Sequence, residues 1–330
     1  MTGNILFIID DSELKYFEFN DLVTDFQLIK EFLKRGYRVS AAVKGGLFIE
    51  NAQGFVFSHN TYLKDENIFY NKERTKHLIN DFDAVFFRPD PPVDTNFINA
   101  CHVFDYVNTD KTLLINNPSA IRSFNEKLHI NYFPEYVPEN IVTSSLELIQ
   151  DFVSRKKEAI LKPLNRCFSS GVYYLHKDDK NLITIVNSLT EDGRTMVMAQ
   201  EYLPDAKYGD KRVLILNGKV LNECIQKLPQ EHNFKFAEHS DKYFRKTALT
   251  ENERRTASDI AQKLASMGLY SAGLDVINEK VIEINITSPC YFIREINQNY
   301  GIHFEDTIMN ELENMIEKHF KGVKSYAGVK

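Results

Sequence analysis

Tryptophan is absent from this chain of 330 residues, and cysteine is scarce, with four. Cys101, Cys167, Cys224 and Cys290 stand far apart, without the paired spacing of a zinc site or the density of a disulfide scaffold. No apolar run approaches the roughly 20 residues that a membrane-spanning helix needs. The first apolar stretch, Asn4 to Ile9, ends at Asp10-Asp11, too short and wrongly flanked for a secretory signal. Excess positive charge is lacking as well. The formal net charge is −6, which argues against a nucleic-acid surface. Repeats and low-complexity tracts are also missing. These absences together lead to the expectation of a cytoplasmic protein with reduced thiols, acting on small molecules rather than on nucleic acid or membrane.

What is present is regular alternation. Residues 4–10 read as a buried strand, 20–35 as a helix with Leu22, Phe26, Ile29 and Leu33 on one face, and 37–43 as a strand again. This β-α-β opening predicts a doubly wound α/β domain. A hairpin is predicted over 47–59, a strand at 83–87, a helix from about 95 to 108 and a strand at 113–115. Pro134 and Pro138 mark a change of character. Beyond them strands are predicted near 140–142, 159–162, 172–175 and 196–200, with helices at 145–155 and 179–190. The last third predicts strands near 211–216 and 219–227, a polar loop over 229–247, and helices at 250–267 and 304–320.

Chemistry concentrates in one predicted hairpin. Gly273-Leu274-Asp275-Val276 and Val281-Ile282-Glu283-Ile284-Asn285 read as strands joined at Asn278-Glu279-Lys280. Side chains alternate along a strand, so Glu283 and Asn285 share a face, and Asp275 of the partner strand can join them. Either the three form the polar outer face of an ordinary hairpin, or their oxygens hold a hard cation such as magnesium. Lys162, within Ile160-Leu161-Lys162-Pro163, sits among apolar residues where an ammonium needs an anion beside it. Lys127, in Asn125-Glu126-Lys127-Leu128, opens an amphipathic stretch.

The order Lys127, Lys162, Gln200-Glu201-Tyr202-Leu203, Arg212, Asp275, Glu283-Xaa-Asn285 resembles the ATP-grasp ligases. Arg88-Pro89-Asp90-Pro91-Pro92 and Glu283-Ile284-Asn285-Ile286-Thr287-Ser288-Pro289 resemble their prokaryotic glutathione synthetase branch, and the likeness covers nearly the whole chain. It implies an α/β ATP-grasp fold: a doubly wound pre-ATP-grasp domain over 1–122, a lid-like subdomain over 123–203 and a catalytic subdomain over 204–330. ATP would lie between the last two. The resemblance places Lys127, Lys162, Ser169, Ser170, Gly171, Gln200, Glu201, Tyr202, Leu203 and Asp210 on the nucleotide. It places Asp275, Glu283 and Asn285 on magnesium or manganese, and Arg212 with Lys162 at the reacting groups. Arg88, Asp90, Arg212, Lys227, Ser288 and Arg294 would face the substrates. The implied reaction joins γ-glutamylcysteine, or a close relative, to glycine through an acyl phosphate, in a homo-oligomer.

Three stretches depart from the family pattern. The phosphate loop, Asn165-Arg166-Cys167-Phe168-Ser169-Ser170-Gly171, keeps one glycine where the family has several. The cover after Pro229-Gln230 is bulky and charged, with His232 and His239 most simply read as exposed. Lys227 replaces an arginine, losing the bidentate fork. Cys290-Tyr291-Phe292 adds one residue before Ile293-Arg294. Two alternatives stay open on these grounds: a ligase with a different γ-glutamyl donor or amine, and a non-catalytic nucleotide-binding homologue.

Overall fold

The computed structural model describes residues 3–15, 23–167, 169–229 and 241–327. Three sheets follow one another along the chain. The first contains β1 (Asn4–Ile9), β2 (Arg38–Val43), β3 (Leu47–Glu50), β4 (Gln53–Lys64), β5 (Asn67–Tyr70), β6 (Thr75–Leu78), β7 (Ala84–Phe87) and β8 (Leu113–Ile115). Its helices are α1 (Asp11–Lys15), α2 (Thr24–Lys34), α3 (Thr95–Val103) and α4 (Pro118–Ser123). Strand order is β3-β4-β2-β1-β7-β8, with β2, β1, β7 and β8 parallel and β5 and β6 both on β4. Every residue of β1 after Asn4 is buried, as a parallel strand covered on both faces requires. Phe7 stacks on Phe86 at 4.5 Å on the α2 side, while Leu6 and Ile8 meet Phe97 of α3 on the other.

The second sheet, β9 (Asn140–Thr143), β10 (Glu158–Pro163), β11 (Tyr173–His176) and β12 (Val197–Glu201), is antiparallel in the order β11-β10-β12-β9. Helices α5 (Leu146–Lys156) and α6 (Leu182–Thr190) cover one face through Ile149, Phe152, Val153 and Val186, which pack on Ala159, Leu161 and Ala199 in a core of their own. The third sheet runs β13 (Asp210–Leu216), β14 (Lys219–Val220), β15 (Cys224–Lys227), β16 (Phe244–Thr247), β17 (Ser271–Ile277) and β18 (Lys280–Asn285), ordered β16-β15-β13-β17-β18. Helix α7 (Glu251–Ser266), opened by a Thr250–Glu253 capping box, covers one face with Ile260 and Leu264. Helices α8 (Ile293–Tyr300) and α9 (Phe304–Ala327) cover part of the other. Helix α9 also packs on α2, where Arg35 bridges Glu313 at 2.7 Å and Asp306 at 2.9 Å. The first and third sheets share continuous cores, and the second, besides the core it closes under α5 and α6, joins one of them through Met198 and Val142 on its other face.

The alternation read from the sequence is present, with several further elements, the short α1 among them. Strand β5 returns on β4 through a turn at Asp65-Glu66, both at positive φ without glycine, and β6 then pairs with the earlier part of β4. The expected strand over 219–227 is two strands, and Phe244–Thr247 of the expected loop pairs with β15. Helix α8 fills residues that carried no helix expectation. The start of the 20–35 helix, with Leu22, and His232 and His239 lie outside the described residues.

Candidate active site

Directly opposed residues of antiparallel strands point to the same face. Here Asp210 pairs with Lys227, Arg212 with Asp275, Asp275 with Glu283 and Gly273 with Asn285. Six of the candidate side chains thus share one face of the third sheet. Further along the same strands Leu214 and Leu216 pass beneath α8 and α9, so the face divides into an apolar covered half and a polar half.

The polar half is a charge network. Arg212 holds Asp275 through Nε to Oδ1 at 2.8 Å and Nη2 to Oδ2 at 3.3 Å. Lys227 Nζ lies 3.0 Å from Asp275 and 2.7 Å from Asp210. Asn285 donates from Nδ2 to Asp275 Oδ2 at 3.1 Å. Lys127 donates to Glu283 at 2.8 Å and to the Arg166 carbonyl at 2.7 Å. Burial disfavours charge on Asp275, but Arg212 and Lys227 outweigh it and hold the carboxyl well below its ordinary range. Burial pushes Asp210 up to about 6 against the pull of Lys227.

The second sheet faces this network with the side away from α5 and α6, where Met198 is buried opposite Lys162. On β10, Lys162 donates to Gln200 Oε1 at 2.8 Å and to the Ile282 carbonyl of β18 at 3.4 Å. Burial brings Lys162 down to about 8, against the attraction of Glu283. Gln200 is 2% exposed, and its Nε2 has no hydrogen-bond partner among the described residues. A buried amide donor without a partner fits a ligand acceptor, and it lies beside the lysine expected on phosphate. Tyr174 and Ile160 share that face with Gln200 by register, and the Tyr202 ring meets Tyr174 edge-on at 5.1 Å. Glu201 lies on the opposite face with its carboxylate 3.4 Å from Lys156. Leu203 follows at the exit of β12, half-buried.

In the phosphate loop Ser169 adopts φ +54° and Gly171 φ +75°, while the Ser170 amide donates to the Cys167 carbonyl at 3.0 Å. That amide is spent inside the turn, which leaves the Ser170 hydroxyl. Phe168 lies outside the described residues. Arg88 also has a setting that the sequence did not suggest. It is 4% exposed, bonds Asp25 and the Pro289 carbonyl, and lies against the Tyr291 ring, so it holds the loop after β18 onto α2. Asp90 takes the Ser288 hydroxyl, and burial raises it to about 6. Arg88, Asp90 and Ser288 therefore gather where β1 and β7 end, and Arg294, the second residue of α8, is half-buried.

Glu126 was not singled out. Its buried Oε1 accepts from the Ile286 amide at 2.7 Å and from the Thr287 amide and hydroxyl, both at 3.0 Å. It ties the Lys127 turn to the end of β18. The only sequence signal for it was adjacency to Lys127.

Hard oxygen donors from Asp275, Glu283 and Asn285 on one face have the chemistry that magnesium requires. Four cations (Arg212, Lys227, Lys127 and Lys162) converge on three carboxylates, a surplus suited to a polyphosphate.

Comparison with known proteins identifies the family. Residues 4–122 match the prokaryotic glutathione synthetase N-terminal domain, and residues 126–301 match the ATP-grasp domain of the same enzymes. The glutathione synthetase of Nostoc sp. is 38% identical over 74% of this chain and 75% of its own length. That of Vibrio parahaemolyticus is 30% identical over 89% of this chain and 93% of its own. Among solved structures, D-cycloserine synthetase DcsG shares the fold with a TM-score of 0.63 at 16% identity, covering 90% of this chain and 98% of that one. The ATP-grasp ligase PsnB, solved with a minimal precursor, Mg and ADP, gives 0.57 at 14% identity, covering 96% and 98%. The chain belongs to the prokaryotic glutathione synthetase family and is an ATP-dependent ligase of the ATP-grasp fold.

Proposed function

We propose that this ligase joins the cysteinyl carboxylate of γ-glutamylcysteine, or a close relative, to glycine, consuming ATP. The observation that carries the reading is the shared face of β13, β15, β17 and β18, where Arg212, Lys227, Asp275, Glu283 and Asn285 meet Lys127 and Lys162. Asp275, Glu283 and Asn285 would hold magnesium, which neutralises phosphate charge and orients the γ-phosphoryl group. Gln200, Tyr202 and Leu203 receive the adenine end, and Lys127, Lys162, Asp210 and the Ser169–Gly171 turn receive ribose and phosphates. A donor carboxylate oxygen attacks the γ-phosphorus and ADP departs, leaving an acyl phosphate. The amine then attacks the acyl carbon, the carbon–oxygen bond to phosphate breaks, and the nitrogen gives up one proton, which leaves on the phosphate as the amide forms.

Arg212 suits the oxyanion of that second step. Its Nε and one Nη2 position are held by Asp275 and one Nη1 hydrogen reaches the Cys290 carbonyl, so two N–H groups along the outer edge remain for substrate. Lys227 contributes an ammonium where a fork is usual, and Ser288, Asp90 and Arg294 border the donor. Family membership also leads us to propose a homo-oligomer, which sedimentation measures directly. The activity test is ADP formation with magnesium, γ-glutamylcysteine and glycine, each omitted in turn. ADP that requires all three, with glutathione as product, supports the reading. Turnover only with another amine moves the specificity, and ATP binding without turnover for any amine overturns ligase activity for these substrates.

A further inference from the structure

Arg212 is held on more sides than its pairing with Asp275 requires. Gly273 lies against it with no side chain: a Cβ there would come within 2.9 Å of Nη1 and 3.1 Å of Cδ. Nη1 reaches the Cys290 carbonyl at 3.4 Å. The Phe292 ring lies over the guanidinium, with its centroid 5.3 Å from Cζ, a cation–π distance. Phe292 packs in turn against Phe244 of β16, ring centroids 5.2 Å apart.

The backbone delivers that ring deliberately. Phe292 has φ +50° and ψ +41°, a left-handed conformation that costs an ordinary residue roughly 1 kcal/mol or more. It is pinned on both sides. Tyr291 before it is buried, donates its amide to the Thr24 hydroxyl oxygen at 3.0 Å and shares a hydrogen bond with Ser271. After it, the Ile296 amide of α8 donates to the Phe292 carbonyl at 2.8 Å. Asparagine or glycine would take this backbone at lower cost, but neither would cover Arg212.

We infer that Phe292 is a positioning residue for the ligation step. It fixes the plane of the Arg212 guanidinium so that the two unpaired N–H groups meet the oxyanion, and with Phe244 it keeps water from the acyl phosphate. The inference rests on the oxyanion role given to Arg212 above. Packing alone predicts something different: any apolar residue of similar volume would then serve.

Two variants separate these cases. Phe292→Leu keeps apolar bulk and removes the ring, whereas Phe292→Tyr keeps the ring. We expect Phe292→Leu to lower kcat about tenfold or more, with KM for ATP and Tm near wild type, and to raise the ADP formed per amide above one. Phe292→Tyr should restore both kcat and the ratio. With arginine labelled by nitrogen-15, the Arg212 Nε–H resonance should carry a ring-current shift in wild type and Phe292→Tyr that Phe292→Leu loses. Wild-type turnover with glycine decides the parent reading separately, and the variants are compared with whichever amine turns over. The inference is overturned by Phe292→Leu with normal kcat and coupling, by kcat, KM and Tm falling together, by Phe292→Tyr failing as Phe292→Leu does, or by an Arg212 resonance indifferent to the ring.

Discussion

Asp275 shows how a single carboxylate is kept ready. Two cations and an amide hold its oxygens, so it stays ionised although buried. Its replacement by Asn keeps the shape and removes the charge, leaving Arg212 and Lys227 facing each other across a neutral group. We expect Asp275→Asn, and likewise Glu283→Gln, to lower kcat on the order of 10³–10⁴-fold in a coupled ADP assay while the protein still folds. Near-normal turnover in either variant would remove the metal role. Lys162 gives a pH prediction. Its free pKa is about 8, below the ordinary 10.5, because burial disfavours the ammonium. Bound phosphate favours the ammonium and raises the pKa again, so binding takes up a proton above pH 8. ATP affinity should therefore fall as pH rises through 8 to 10, by up to about tenfold per unit. Titration calorimetry in buffers of different ionisation heat reads the proton directly, and Lys162→Arg should flatten the dependence.

At the scale of elements, the β17–β18 hairpin was legible because its chemistry repeats with the period of a strand: Glu283 and Asn285 two apart, Asp275 across from Glu283. The lysines were legible as ammonium groups set in apolar surroundings. What was not legible depends on contacts distant in sequence. Glu126 bonds residues 160 positions away, and Arg88 turns inward because α2 brings Asp25 to it. Strands β5 and β6 were hidden by a turn without glycine, and β16 by its charged flanks. Gly209 supplies an element-scale test. It enters β13 at φ +89°, and a Cβ there would lie 1.8 Å from the Lys227 carbonyl oxygen. Gly209→Ala should cost more than about 2 kcal/mol of unfolding free energy by denaturant titration, because strain and overlap add. An unchanged midpoint would mean that β13 and β15 can part without cost, contrary to their register.

Across the molecule, the three sheets are held by three clusters of buried apolar side chains. The first and third sheets are joined through α2 and α9, while the second sheet closes one core of its own and meets the others through Met198, Lys162 and, alongside it, the Lys127 turn. A sheet with one face packed on helices of its own and the other turned to the charge network suits the proposed reaction, which must admit two substrates and then exclude water. No helix among the described residues is long and apolar enough to cross a membrane. The α/β class followed from alternation along the chain and the ATP-grasp layout from the family resemblance, but the joining of the two outer sheets followed from neither, since it rests on α9 packing that no local pattern announces. The central claim is that the donor carboxylate is phosphorylated on the β13–β18 face before the amine attacks. It is tested most directly with oxygen-18 in the donor carboxylate and mass analysis of the phosphate released. One labelled oxygen per phosphate, lost together with turnover in Asp275→Asn, is the predicted result; phosphate free of label alongside amide formation would contradict the account.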